Sequence, residues 1–179
     1  MPELVTPQAQ YKNSFLEALV EYKAEDLPNY RSLDPAALAA DFESFLEQMK
    51  KESTGEDLPD GFVPHTVYWL VEGDTYLGRV DIRHILNDFL HKEGGHIGYD
   101  VRPSERKKGY GHLALKLGKE KAKELGMNEV LITCDITNIG SNKIIRASGG
   151  KLENTVEVGA DKPAKNRYWI DLKASQEVS

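Results

Sequence analysis

GGHIGYDVRPSERKKGYGHLALKLG, residues 94–118, reads as a strand, a short basic loop, a pair of glycines and the start of a helix. His96-Ile97-Gly98-Tyr99-Asp100-Val101 alternates polar and apolar residues, the period of a half-buried strand. Pro103 has no N–H to offer a neighbouring strand and ends that run. Beyond it, Tyr110, Leu113, Ala114, Leu117 and Leu125 recur at helical spacing, and Gly126 suits a helix C-terminus. The helix therefore begins inside Arg106-Lys107-Lys108-Gly109-Tyr110-Gly111. The first turn of a helix leaves backbone N–H groups without partners, and the helix dipole adds partial positive charge there. Glycines let a ligand come close to such amides, and Arg106, Lys107 and Lys108 add charge of the same sign. The stretch reads as a phosphate or pyrophosphate site. The competing reading is a tight turn with a solvated basic edge.

Three kinds of phosphate loop compete for this stretch. A Walker loop requires GxxxxGK followed by Ser or Thr, and the chain has no such run. Gly109, Gly111 and Ala114 match a dinucleotide-binding spacing, but Pro103 to Lys108 separate them from the strand, and no βαβ pattern opens the chain. The run Val101-x-Pro103-x-x-Arg106-x-x-Gly109-x-Gly111 resembles the Gln/Arg-x-x-Gly-x-Gly/Ala signature of the GNAT superfamily of N-acetyltransferases, with the strand that precedes it. The resemblance extends over about residues 66–172, and the wording around the glycines is similar to a bacterial subgroup of predicted acetyltransferases.

That resemblance implies an α+β fold, a mixed and mostly antiparallel central sheet flanked by helices. It implies acetyl-CoA as acyl donor and direct attack of an amine on the thioester within a ternary complex. Arg106, Lys107, Lys108, Gly109, Tyr110, Gly111 and His112 would anchor the diphosphate, mainly through backbone N–H groups. The exposed backbone of Val101 and Arg102 would pair with the pantetheine arm, and an N–H near Val101 would meet the oxyanion. Asn138 matches the family asparagine that helps to hold the arm, and as an N-cap it serves the following helix equally well. Ser141 falls at the accompanying small position. Many members carry a tyrosine seven residues after that asparagine as the acid for the thiolate; here Ile145 stands there, and Tyr168 is the replacement to consider. For the base, His96 is the first choice, because related sequences often place a glutamate there and its unperturbed pKa is about 6.5. Asp100 shares its strand face, and Asp81 or His84 of the neighbouring strand can approach it. The alternative for the whole chain is a non-catalytic acyl-CoA-binding or regulatory module, motivated by Ile145.

Composition narrows the function classes. The 179 residues suit one domain, with residues 1–65 as the acceptor wall and 66–172 as the acyl-CoA-binding core. A net charge of −6 argues against general attraction to nucleic acid, and a local basic loop on an acidic body suits a small anionic ligand. Cys134 is the only cysteine, so no internal disulfide exists and a reducing, cytoplasmic setting is expected. No apolar run reaches membrane-spanning length and no signal-peptide pattern opens the chain. The five histidines show no metal-ligand spacing, so no metal is expected. The acceptor is a small-molecule or peptide amine of unspecified identity, and oligomeric state is open, a homodimer included.

Outward from the central stretch, residues 3–5 suit a short strand, Thr6-Pro7 a helix start, and Asp34-Pro35 a second one. Tyr11, Phe15, Leu19 and Tyr22 stripe the first helix; Leu38, Phe42, Phe45 and Met49 stripe the second. In the GNAT family these helices and their joining loop form one wall of the acceptor cleft, which makes Tyr22, Glu25 and Tyr30 candidate substrate residues beside Asp81 and Asp100. Strands are expected at 66–71, 76–84, 95–101 and 130–134, a short helix after Asn138, and a closing hairpin from 152–158 and 167–172.

Overall fold

The computed structural model describes residues 1–173. Strand β1 (Glu3–Val5) leads through a 3-10 turn into helix α1 (Lys12–Ala24). Thr6 does not cap that helix; the chain stays extended at Gln8, and Ala9–Tyr11 form the entry turn. Asp34 caps α2 (Pro35–Ala40) by accepting a bond from the N–H of Ala36 at 3.0 Å. The expected single second helix is in fact two. At Asp41 the backbone leaves the helical region (φ −140°, ψ 71°), and the Asp41 carboxylate accepts from the N–H of Ser44 to start α3 (Phe42–Thr54). One acidic side chain thus ends one helix and caps the next.

Strands β2 (His65–Glu72), β3 (Thr75–Arg83) and β4 (Ile97–Val101) follow, and with β1 they make a four-stranded antiparallel sheet in the order β1-β2-β3-β4. Helix α4 (Tyr110–Glu124) crosses from β4 to β5 (Glu129–Asp135). Helix α5 (Ile139–Ala147) and the hairpin β6 (Lys151–Val156) and β7 (Lys165–Asp171) complete the described chain. The second sheet is also antiparallel, with β7 between β5 and β6.

The central layer is thus two antiparallel halves, and β4 and β5 are their facing edges. They are joined at one end, where the N–H of His96 donates to the Leu131 carbonyl at 2.7 Å and the N–H of Leu131 donates to His96 Nδ1 at 2.9 Å. Past this joint no ladder links them. Gly95 makes the close approach possible: it sits at φ +66°, and a Cβ there would lie 2.6 Å from the Leu131 carbonyl oxygen.

Two apolar clusters hold the layers. One packs Ala114, Leu115 and Ala122 of α4 and Ile145 of α5 against both sheets. Gly118 brings α4 close to β3, since a Cβ there would meet Val80 at 2.9 Å. The other sets α1 and α3 on the opposite face of β2 and β3. Its centre is Phe15 stacked on Trp69 with centroids 4.7 Å apart, with Phe42, Phe45 and Tyr76 around them.

Candidate active site

The gap between β4 and β5 offers backbone rather than side chains. In an antiparallel ladder, residues alternate between pairs bonded across to the partner and pairs whose N–H and C=O point away from it. The N–H of Arg102 donates to Leu77 O at 2.8 Å and that of Arg83 to His96 O at 2.8 Å, which fixes the bonded pairs at both ends of β4. With Gly78 opposite Val101 and Val80 opposite Tyr99, the main-chain groups of Tyr99 and Val101 face away from β3, into the gap. The main chain of Val101 is thus turned toward the gap. Arg102 is not: its amide is taken by β3, and its side chain is bound to Glu21 at 2.7 Å and to Ser14 at 3.2 Å. Tyr99, which the sequence reading did not single out, has the same outward register. The signal was available in the period of two that the strand itself obeys.

The loop after β4 opens on the same side. Gly109, at φ +88°, caps α4 without any side-chain bond, and Lys107 also has positive φ, +64°. The first amide of this region to find a carbonyl is that of Leu113, which donates to Gly109 O at 3.2 Å. The backbone N–H groups of residues 107–112 have no acceptor among the described residues. A Cβ on Gly109 would meet nothing within 4 Å, so the space above it is open. Gly111 serves packing instead, because a Cβ there would come 2.8 Å from Ile144 of α5. Tyr110 is half-buried against the core and His112 is exposed.

The basic triplet is less free than its sequence implies. Arg106 pairs with Glu25 at 2.8 Å and also donates to Val101 O at 3.3 Å, while Lys108 pairs with Glu105 at 2.8 Å. Lys107 alone of the three has no ion-pair partner among the described residues. Glu25, expected at the acceptor, thus braces the loop against α1. Across the gap, Asn138 Oδ1 caps α5 by accepting from the N–H of Ser141 at 3.0 Å. Ser141 Oγ lies 2.9 Å from the hydroxyl of Tyr99, and burial pushes that phenol up to about 12.

On the opposite face of the sheet, a cavity of about 690 Å³ lies between β2, β3 and the N-terminal helices, with Tyr30, Arg79 and Asp81 in its wall. Of the five candidate substrate residues, Tyr22, Tyr30 and Asp100 are locked together. The two rings stack with centroids 4.0 Å apart, and both hydroxyls donate to the Asp100 carboxylate at 2.8 Å. Burial raises the pKa of Asp100 and of both tyrosines, and Arg79 lies 3.5 Å from Asp100. Asp100 and Tyr22 therefore build the wall rather than present groups to a ligand.

A family model for the acetyltransferase (GNAT) domain matches residues 16–151. The chain belongs to the GNAT acetyltransferase family. Solved structures of similar fold include the microcin C7 self-immunity acetyltransferase MccE in complex with acetyl-CoA and AMP, at 19% identity and a TM-score of 0.66 over 95% of this chain and 92% of that one. They also include the ribosomal L7/L12 alpha-N-protein acetyltransferase RimL in complex with coenzyme A, at 16% identity and 0.69 over 97% and 96%. A third is the spermidine/spermine N-acetyltransferase SpeG from Vibrio cholerae, at 10% and 0.61 over 97% and 96%. No curated protein matches the chain at a significant level.

Membership makes this GNAT protein an N-acetyltransferase by family and takes away the support for the dinucleotide-binding reading. It also sharpens two corrections. His96 does not face the acceptor cavity as a free base. Its Nδ1 accepts the Leu131 amide at the sheet joint, and burial depresses its pKa to about 4, aided by the nearby charges of His91 and Arg83. Tyr168 is fully buried, donates to Asn142 Oδ1 at 2.7 Å and accepts from Arg146 at 3.2 Å, so it is a core hydroxyl and not the missing acid. Ile145 is itself core. Among the described residues no group of acids and histidines could hold a metal, and no helix is long and apolar enough to cross a membrane.

Proposed function

We propose that the protein transfers an acetyl group from acetyl-CoA to a primary amine by direct attack in a ternary complex, residues 66–172 holding the donor and residues 1–65 forming the acceptor wall. The observations that support this reading are the unpartnered amides of residues 107–112 and, beside them, the outward-facing main chain of Tyr99 and Val101 on the β4 edge. The amides at the start of α4, with Lys107, take the diphosphate. The outward N–H and C=O groups of Tyr99 pair with the pantetheine amides as a further strand would, which leaves the Val101 N–H for the thioester. Acetyl-CoA supplies an activated acetyl thioester, and the Val101 N–H donates to its carbonyl oxygen, where negative charge develops. Asn138 and Ser141 border the arm from α5.

The amine nitrogen forms a bond to the thioester carbon, the carbon–sulfur bond breaks, and the amine's surplus proton leaves to water in the acceptor cavity. Tyr99 stands in as a hydrogen-bond donor, not a proton donor, for the acid that Ile145 does not provide. A phenol raised to about 12 stays protonated at neutral pH, so it steadies the departing thiolate as a hydrogen-bond donor and keeps its own proton. Isothermal titration with acetyl-CoA, followed by coenzyme A release across a panel of amines, tests the reading. Binding with release on at least one amine is expected. A folded protein that ignores acetyl-CoA at millimolar concentration overturns it.

A further inference from the structure

Helix α1 meets the loop after β4 along an acidic edge. Glu17 and Glu21 stand one turn apart on the helix, and Glu25 follows at its end. Glu25 pairs with Arg106, side chain to side chain. Glu21 reaches the backbone of the loop as well. Its Oε2 accepts from the N–H of Ser104 at 2.9 Å, and its Oε1 accepts from Arg102 Nε at 2.7 Å and from the Ser104 hydroxyl at 3.1 Å. Partial burial pushes the Glu21 carboxyl up, but the Ser104 amide and the Arg102 guanidinium outweigh it and hold the pKa below its ordinary value.

Arg102 is itself fixed from two sides. Its N–H donates to Leu77 O at 2.8 Å, and its guanidinium donates to Ser14 Oγ at 3.2 Å and lies 3.4 Å from Glu17. Ser14 Oγ also accepts from the N–H of Tyr76 at 2.9 Å, so α1, the start of β3 and the end of β4 meet around it. The Arg102 side chain is 12% exposed, which shields its bond to Glu21 from water. The chain then makes the turn Pro103–Glu105, in which Glu105 N–H donates to Arg102 O at 2.8 Å and Arg106 N–H to Pro103 O at 3.4 Å. Pro103 has no N–H, and Ser104 gives its own to Glu21. The course of the chain into the open amides of residues 107–112 is thus set by a carboxylate on another element. By charge alone that carboxylate opposes an anionic ligand, so its place here answers to geometry.

We propose that Glu21 is a positioning residue for the acyl donor. Through Ser104 and Arg102 it holds the Pro103–Glu105 turn in the course that presents the amides of residues 107–112 to the diphosphate, and it does not touch coenzyme A itself. This inference rests on the reading that those amides take the diphosphate.

Calorimetry with coenzyme A compares the wild type with Glu21→Gln, which sets an NH2 group against the N–H groups of Ser104 and Arg102 at nearly unchanged size, and with Glu21→Ala, which removes the acceptor. Each variant is checked for folding by its melting curve. Losing a negative charge beside an anion would by itself tighten binding, whereas losing the brace weakens it, so the two effects differ in sign. Both variants are expected to bind coenzyme A at least about fivefold more weakly, because the binding-competent course of the loop is less populated. At saturating coenzyme A the Tyr99 amide resonance is expected at its wild-type position, which a general loosening of the fold would not give. Unchanged or tighter binding in a folded variant, a displaced Tyr99 resonance, or loss of the fold in both variants overturns the proposal. A wild-type protein that does not bind coenzyme A, or binds it with the amides of residues 107–112 unmoved, would instead remove the diphosphate reading, so the two failures are told apart.

Discussion

Single residues in this protein carry separable duties, and three of them give direct predictions. Gly95 combines φ +66° with a carbonyl 2.6 Å from where a Cβ would stand. Gly95→Ala is expected to cost about 2–4 kcal/mol in urea unfolding, from backbone strain and loss of the sheet joint. A loss below about 1 kcal/mol would show that the joint tolerates displacement. Gly109 is different, because the space above it is open and only its φ of +88° restricts substitution. Gly109→Glu is expected to leave the melting curve within a few degrees of wild type and to weaken acetyl-CoA binding at least about tenfold by calorimetry, through like-charge repulsion at the diphosphate. His96 titrates near 4 in the folded chain and near 6.5 when unfolded. The folded state thus binds its proton less well, so the contribution is present above about pH 6.5 and lost as pH falls through about 4. Because the ring is partly exposed, about 1–2 kcal/mol is expected over that range. His96→Gln should flatten this part of the stability–pH profile, and an unchanged slope would remove the assignment.

At the scale of elements, what was legible in the sequence was whatever a short pattern controls. The alternation before Val101, the breaker Pro103 and the helical stripe from Tyr110 placed β4 and α4 to within a residue or two. Asp34-Pro35 marked the start of α2, but the stop at Asp41 was hidden, because an apolar stripe runs on through Phe42 and Phe45 regardless of a one-residue break. Side-chain partners far apart in sequence were not legible. Glu25 meets Arg106, and Tyr22 and Tyr30 converge on Asp100, only after α1 has folded onto the sheet. The same convergence separates the basic triplet. Lys107→Glu is expected to raise the dissociation constant for acetyl-CoA about tenfold, and Lys108→Ala by less than about threefold, since Lys108 is already engaged by Glu105. Equal effects in a calorimetric comparison would mean that the charge of the loop acts as a whole.

For the whole molecule, the proposed function rests on a sheet that is held shut at one end and left open at the other. The joint at His96 and Leu131 fixes where β4 and β5 part, and α4 begins beside the opening. In the proposed reading the donor is gripped by main-chain groups that need no particular side chains, and the acceptor enters from the cavity on the far face. This division explains why sequence pattern reached the donor loop and left the acceptor cavity unread. The most direct test is to follow the backbone amide resonances of the folded protein as coenzyme A is added. The largest shifts are expected at residues 107–112 and at Tyr99 and Val101. Saturable binding that leaves those amides unmoved while others shift would contradict the account.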